Sequence, residues 1–110
     1  MKFLSVLAAT AALAVSMSAT AAPDGDAAMA LLKDSGCTKC HAVDKTKKGP
    51  SFKKTAGELR GKADAEQKIT KWITEPHKAK FEDGTEEDHK MIKSKDSAAI
   101  KNVVQWILAQ

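Results

Sequence analysis

The chain has 110 residues and a formal charge of +4 at pH 7, which is the size of one small domain. Its lysines are interleaved with acidic residues instead of forming a basic cluster supported by aromatic residues, and this excludes a nucleic-acid-binding role. A domain this small has a marginal core if it relies on side chains alone, so we expect a bound cofactor to contribute to the interior.

Residues 1–22 have the pattern of a secretory signal peptide, with Lys2 before an apolar run that ends in small residues. The apolar run is too short to span a membrane, and no later stretch is apolar enough. An uncleaved anchor is the alternative to cleavage. We expect cleavage after Ala21 or Ala22, which would release an exported domain at 23–110 without a stable membrane anchor.

Apolar residues that recur three and four positions apart predict three or four short helices, and no strand pattern of useful length is present. Turn and capping residues set the expected ends of these helices. We expect helices from Asp24 or Asp26 toward Ser35, from Phe52 to Leu59, from Asp64 to Glu75 with Gln67 completing a capping box, and from Ser97 to about Ala109.

Cys37 and Cys40 are the only cysteines, and His41 follows the second one directly. This Cys-x-x-Cys-His spacing is typical of covalent haem attachment, in which two thiols react with the two vinyl groups of one haem edge and the adjacent imidazole binds the iron. A disulfide, a dithiol redox pair and half of a zinc site are the alternatives. A zinc site would need further ligands at short spacing, and a thioredoxin-like pair would need alternating strands and helices. We therefore predict one covalently bound haem c.

Two segments that follow the motif lack helical periodicity. Residues 45–50 form a basic loop that ends in the turn-forming Gly49-Pro50 pair, and its lysines are either solvated or face a redox partner. Residues 77–90 are polar and charged throughout, and we interpret them as a long loop, which in a small domain is usually functional.

The second axial iron ligand decides the chemistry of a haem. A thioether raises the reduction potential, a second imidazole lowers it, and an open site permits chemistry on a bound molecule. Beyond the leader the candidates are Met29, Met91, His77 and His89. Met29 lies on a helix face needed for packing, and we expect His77 to be solvated. We predict Met91 as the second ligand, because it lies on a long segment before the last helix, and His89 is the alternative.

The leader, the segment 36–44, Lys48-Gly49-Pro50-Ser51-Phe52 and the terminal Val104-Gln105-Trp106-Ile107-Leu108 together resemble the small bacterial class I cytochromes c. The resemblance covers essentially the whole mature chain. It implies an all-α fold of three to four short helices wrapped around one haem, with the first and last helices crossing near it. It also implies that the carbonyl of Pro50 fixes the His41 ring. Many members have a proline beside the distal methionine, and Met91 has none.

We therefore expect a periplasmic, monomeric one-electron carrier that docks transiently with donor and acceptor proteins and is not an enzyme. The alternative function is a ligand sensor or peroxidase-like enzyme with an open or bis-histidine distal site. A third class, a dithiol redox protein without haem, would be colourless.

Overall fold

The computed structural model describes residues 11–15 and 21–110, so the predicted signal peptide falls largely on residues outside these ranges. The described residues contain four α-helices, one 3-10 turn and one short antiparallel hairpin. Their bounds are α1 Gly25–Asp34, the turn Cys37–Lys39, α2 Phe52–Leu59, α3 Ala65–Thr74, β1 Lys78–Lys80, β2 Glu86–Asp88 and α4 Ser97–Leu108. The predicted small, mostly helical fold is confirmed.

Polar side chains at the helix starts explain where the chain becomes helical. Asp24 accepts a hydrogen bond from the Ala27 N–H at the start of α1, and Ser51 and Asp96 act in the same way for α2 and α4. The capping box predicted for α3 is wrong. Asp64 makes no capping hydrogen bond, and its carboxylate lies 3.6 Å from the Lys68 ammonium one turn on.

Helix α4 is the centre of the core and packs against α1, α2 and α3. Val103 and Val104 on α4 are fully buried, as is Leu32 on α1. The start of α1 is also joined to the middle of α4 by polar contacts, since the Asn102 side-chain amide accepts from the N–H of Asp24 at 2.8 Å and donates to its carbonyl at 2.9 Å. The predicted association of the first and last helices is present.

Residues 78–88 form a β-hairpin, so the prediction of a loop over 77–90 is wrong for this part. Lys78 pairs with Asp88 at 2.6 Å and Lys80 with Glu86 at 3.9 Å, in cross-strand register. Gly84 closes the turn with a φ of 84°, which favours glycine. Both strands are largely exposed, so no alternation of apolar and polar residues marks them in the sequence.

None of the helices within residues 11–15 and 21–110 has the length and apolar character needed to cross a bilayer.

Candidate functional site

A cavity of about 330 Å³ opens between the cysteine motif, the Gly49-Pro50 turn, helix α3 and the hairpin. Apolar side chains such as Ile69, Trp72 and Phe81 make up much of its wall. Cys37, Cys40 and His41 line one side, and His89 also contributes to the lining. A largely apolar cavity with a few convergent polar groups is the form that cofactor sites take.

The cysteine motif is presented to the cavity by a tight turn. Gly36 follows the end of α1 with a φ of 78°, which favours glycine, and the chain then makes a 3-10 turn over Cys37–Lys39. Neither thiol of the motif is in a disulfide. Burial raises the pKa of the Cys37 thiol. A smaller effect of its own backbone lowers this pKa, and the charge of Cys40 raises it further. Dithiol oxidoreductases need the reverse, a lowered thiol pKa.

The His41 ring is held on three sides. Its Nδ1 lies 2.7 Å from the carbonyl oxygen of Pro50, which is the contact that the family resemblance implied. Because a carbonyl only accepts hydrogen bonds, Nδ1 carries the proton and Nε2 keeps its lone pair. Phe52 stacks on the ring at 5.6 Å between centroids, and Gly49 packs so closely that a Cβ there would lie 2.4 Å from His41 Cε1.

A second aromatic contact supports the Phe52 ring that stacks on His41. Trp106 of α4 meets Phe52 edge-on at 5.5 Å between centroids, so the last helix reaches His41 through one intervening ring. Trp106, which belongs to the terminal segment that carries the family resemblance, therefore packs on the His41 side of the fold. The supporting roles of Phe52 and Gly49 were missed, since periodicity marks only helix faces.

His89 lines the same cavity as the motif and lies near His41. The centroids of its ring and the His41 ring are 6.1 Å apart, with 56° between the ring planes. Its Nδ1 is buried and has no hydrogen-bond partner. Burial lowers the pKa of His89 and the neighbouring His77 and His41 lower it further, while a smaller effect of the Lys90 backbone opposes them. His77 stacks on His89 at 4.4 Å and 20°, so this exposed histidine is packed against a ring and not simply solvated.

Met91, the predicted second ligand, is not among the residues that line the cavity. Met91 is 43% exposed, whereas the next residue, Ile92, is buried. The N–H of Ile92 donates to the carbonyl of Ile73 at 2.8 Å, which holds this segment against α3. The sequence showed that the segment was long but not where it was attached. Met29 is half-buried on α1 and is not part of the cavity wall either.

The family model for cytochrome c matches residues 26–110, which include the residues that line the cavity and all of the four helices except Gly25, the first residue of α1. The chain belongs to the cytochrome c family.

Individual relatives agree with this assignment. The cytochrome is 40% identical over 50 residues to cytochrome c-551 of Allochromatium vinosum, an alignment that covers 46% of this chain and 53% of the relative. The chain thus spans about half the length of the curated relative it matches. The crystal structure of class 1 cytochrome MtoD from Sideroxydans lithotrophicus ES-1 superposes with a TM-score of 0.75 at 55% identity, covering 80% of this chain and 97% of that one.

A more distant structure shows the same fold. Cytochrome c552 of Nitrosomonas europaea superposes with a TM-score of 0.57 at 23% identity, covering 74% of this chain and 96% of that one. Together with the closer match, this supports a small class I cytochrome c, as the sequence predicted.

The residues around the cavity fit the haem that this family carries. Two thiols not engaged in a disulfide and the unprotonated Nε2 of His41 form a suitable donor set on one side. The close approach of Gly49 fixes the ring that would bind the iron, and the unpartnered Nδ1 of His89 supplies a further nitrogen. Apolar walls suit the macrocycle.

Proposed function

We propose that this cytochrome is a periplasmic one-electron carrier with a single haem attached through Cys37 and Cys40. The observation that carries the proposal is that both thiols and the braced His41 ring line one side of a single, mostly apolar cavity. When bound, the haem supplies the one-electron chemistry of its iron. Cys37 and Cys40 would attach the haem, His41 would offer one imidazole nitrogen to the iron, and the apolar walls would limit the access of water.

The brace on His41 suits a carrier. Pro50 and Gly49 keep the imidazole in one orientation and one tautomer, so the nitrogen available to the iron is the same in both oxidation states. An unchanged ligand set needs little rearrangement when one electron is gained or lost. A fixed site of this kind favours electron transfer over substrate chemistry.

Transient docking is the mode of partner recognition that we propose. Residues 45–48 are exposed beside the attachment site, and three of the four are lysines. Positive charge at this position would steer an acidic redox partner by long-range attraction, which is weakened by salt. Export is proposed from the leader at 1–22, and a mature amino terminus at Ala22 or Pro23, found by mass spectrometry, would support it.

Haem attachment is tested by producing the full chain in a bacterium that matures c-type cytochromes and measuring the mass of the denatured product. We expect a red protein with the added mass of one haem that acid extraction does not remove. Cys37→Ser and Cys40→Ser should each abolish two-point attachment, whereas Thr38→Ala, a spacer in the same motif, should retain it. A colourless wild-type protein with two free thiols would refute the proposal.

The carrier role is tested on the haem-loaded protein. Reduction by dithionite and reoxidation by ferricyanide should be fully reversible over repeated cycles without loss of the haem spectrum. Hydrogen peroxide should not be consumed in the presence of a reducing dye. Sustained peroxide turnover would instead support the peroxidase-like alternative.

A further inference from the structure

We propose that His89 is the second protein ligand of the iron and that His77 is a positioning residue that holds the His89 ring. This inference rests on the proposed attachment of haem at Cys37, Cys40 and His41. It assigns the opposite side of the ring to an imidazole where the sequence favoured the thioether of Met91.

The spacing of two histidine rings is the first observation. Rings in direct contact lie as close as His77 and His89, whose centroids are 4.4 Å apart. The His41 and His89 centroids are 6.1 Å apart and the ring planes are tilted by 56°, so these two rings are not stacked. A metal ion bonded to a nitrogen of each of two imidazoles holds their centres roughly 6 Å apart, because each bond is ~2 Å and each nitrogen is ~1 Å from its ring centre. The observed spacing matches that arrangement.

The second observation is the unpartnered nitrogen of His89. A buried polar atom without a hydrogen bond is destabilising, and native proteins rarely retain one without a reason. The Nδ1 atom of His89 is buried and unpartnered beside a cavity that the haem would fill. A bond to iron would satisfy this nitrogen.

The third observation is the anchoring of the segment that carries Met91. Ile92 donates its N–H to Ile73, and the N–H of Lys93 donates to the hydroxyl of the buried Ser35 at 2.9 Å. Both bonds lie directly after Met91 and hold the chain against α3 and the end of α1. Bringing the Met91 sulfur into the cavity would require these contacts to rearrange, whereas His89 already lines it.

The hairpin explains how His89 is delivered. His77 and His89 directly flank the two strands, one position beyond the Lys78–Asp88 pair, and the His89 N–H donates to the His77 carbonyl at 2.9 Å. Cross-strand neighbours at this position have their side chains side by side. Stacking covers a face of the His89 ring, whereas a metal ion binds at a nitrogen on its edge, so His77 can hold the ring without blocking the bond.

The absorption spectrum of the haem-loaded wild-type protein tests the ligand directly. We expect the ferric form to lack the weak near-infrared band that marks thioether ligation, and the reduction potential to be lower than in histidine–methionine cytochromes c. Presence of this thioether band in a protein with covalent haem would overturn this inference alone. Absence of covalent haem from the wild-type protein would refute the proposed function as well, so the two failures are distinguishable.

Variants at positions 89 and 91 identify which residue is the second ligand of the iron. Met91→Ala, two positions from His89, is the matched control and should leave the ferric and ferrous absorption spectra and the reduction potential unchanged. His89→Ala should convert the ferric iron to a high-spin spectrum, and added imidazole should restore the low-spin one. His89→Met should raise the potential. A changed spectrum in Met91→Ala would overturn the assignment, and the wild-type spectrum decides the matter even if His89→Ala fails to retain haem.

The role of His77 has its own readout, the rate at which cyanide displaces the second ligand from ferric iron. Because an aromatic pair contributes a modest free energy, His77→Ala should accelerate cyanide binding by about two- to tenfold, and His77→Phe, which keeps a stacking face, should restore much of the original rate. Equal rates in the wild-type protein and His77→Ala would overturn the positioning role.

Discussion

Replacing Gly49 by alanine would place a methyl group against the ring of His41. A Cβ at this position lies 2.4 Å from Cε1, 2.8 Å from Nδ1 and 3.1 Å from Nε2 of that ring, whereas ordinary contacts begin at 3.4 Å. Gly49 is not among the glycines with positive φ, so the conflict is steric and not torsional. The ring or the backbone must therefore move by about 1 Å.

The cost of this movement follows from the contacts that hold the ring. Overpacking a well-filled site costs about 1–3 kcal/mol. Displacing His41 also strains its 2.7 Å hydrogen bond to Pro50, and a bond of this kind contributes about 0.5–1.5 kcal/mol net. We expect Gly49→Ala to lower the free energy of unfolding by about 2–4 kcal/mol. For a domain of this size, the melting temperature should fall by roughly 10 °C or more.

Guanidinium unfolding of the haem-loaded protein, followed by far-ultraviolet circular dichroism, measures this effect. Gly57→Ala is the matched control, because Gly57 lies in α2 with nothing within 4 Å of an added Cβ. That control should be more stable than the wild type by about 0.5–1 kcal/mol, since alanine favours the helix. If Gly49→Ala unfolds at the wild-type midpoint, the close approach does not constrain His41 and the reasoning is refuted.

Two further predictions concern the frame around the site. Asn102→Ala removes both hydrogen bonds to the Asp24 backbone and should lower the free energy of unfolding by about 1–3 kcal/mol in urea, whereas Lys101→Ala, an exposed neighbour, should have little effect; equal stabilities would contradict this. The second prediction concerns pH, since the hydrogen bond and the charge of Lys78 lower the pKa of the exposed Asp88 carboxyl. The small stabilisation that this pair gives the hairpin is fully present above the unfolded-state pKa of about 3.9. It is lost as the pH falls through the lower folded-state pKa. Hydrogen-exchange protection of the hairpin amides, corrected for intrinsic rates, should fall between pH 6 and pH 3, and unchanged protection would count against the role of this pair.

The helices and the attachment motif were predictable because their signals are local. Val103 and Val104 lie four and three positions before Ile107, which is helical spacing, and all three are buried. The cysteines and His41 need only short separations to act together, so sequence alone brings them to one turn. Pro50, nine positions on, was identified through the family resemblance and not through spacing.

The hairpin was missed for a physical reason. Its strands are three residues each and largely exposed, and they are held by backbone bonds and by ion pairs such as Lys78–Asp88. Neither strand buries an apolar face, so the alternation that reveals most strands is absent. A polar segment of this composition is indistinguishable from a loop until its cross-strand register is known.

The sequence by itself determined the features that depend on residues close together in the chain. These are the thiols of Cys37 and Cys40, the imidazole of His41 and the helical pattern around them. Only the tertiary structure decided which side chain reaches the cavity from far along the chain. His89 and Met91 are two residues apart, and the sequence alone favoured Met91 as the ligand with His89 as the alternative. The hairpin brings His89 inward and the bond from Ile92 to Ile73 leaves Met91 exposed, and both effects depend on contacts between distant segments.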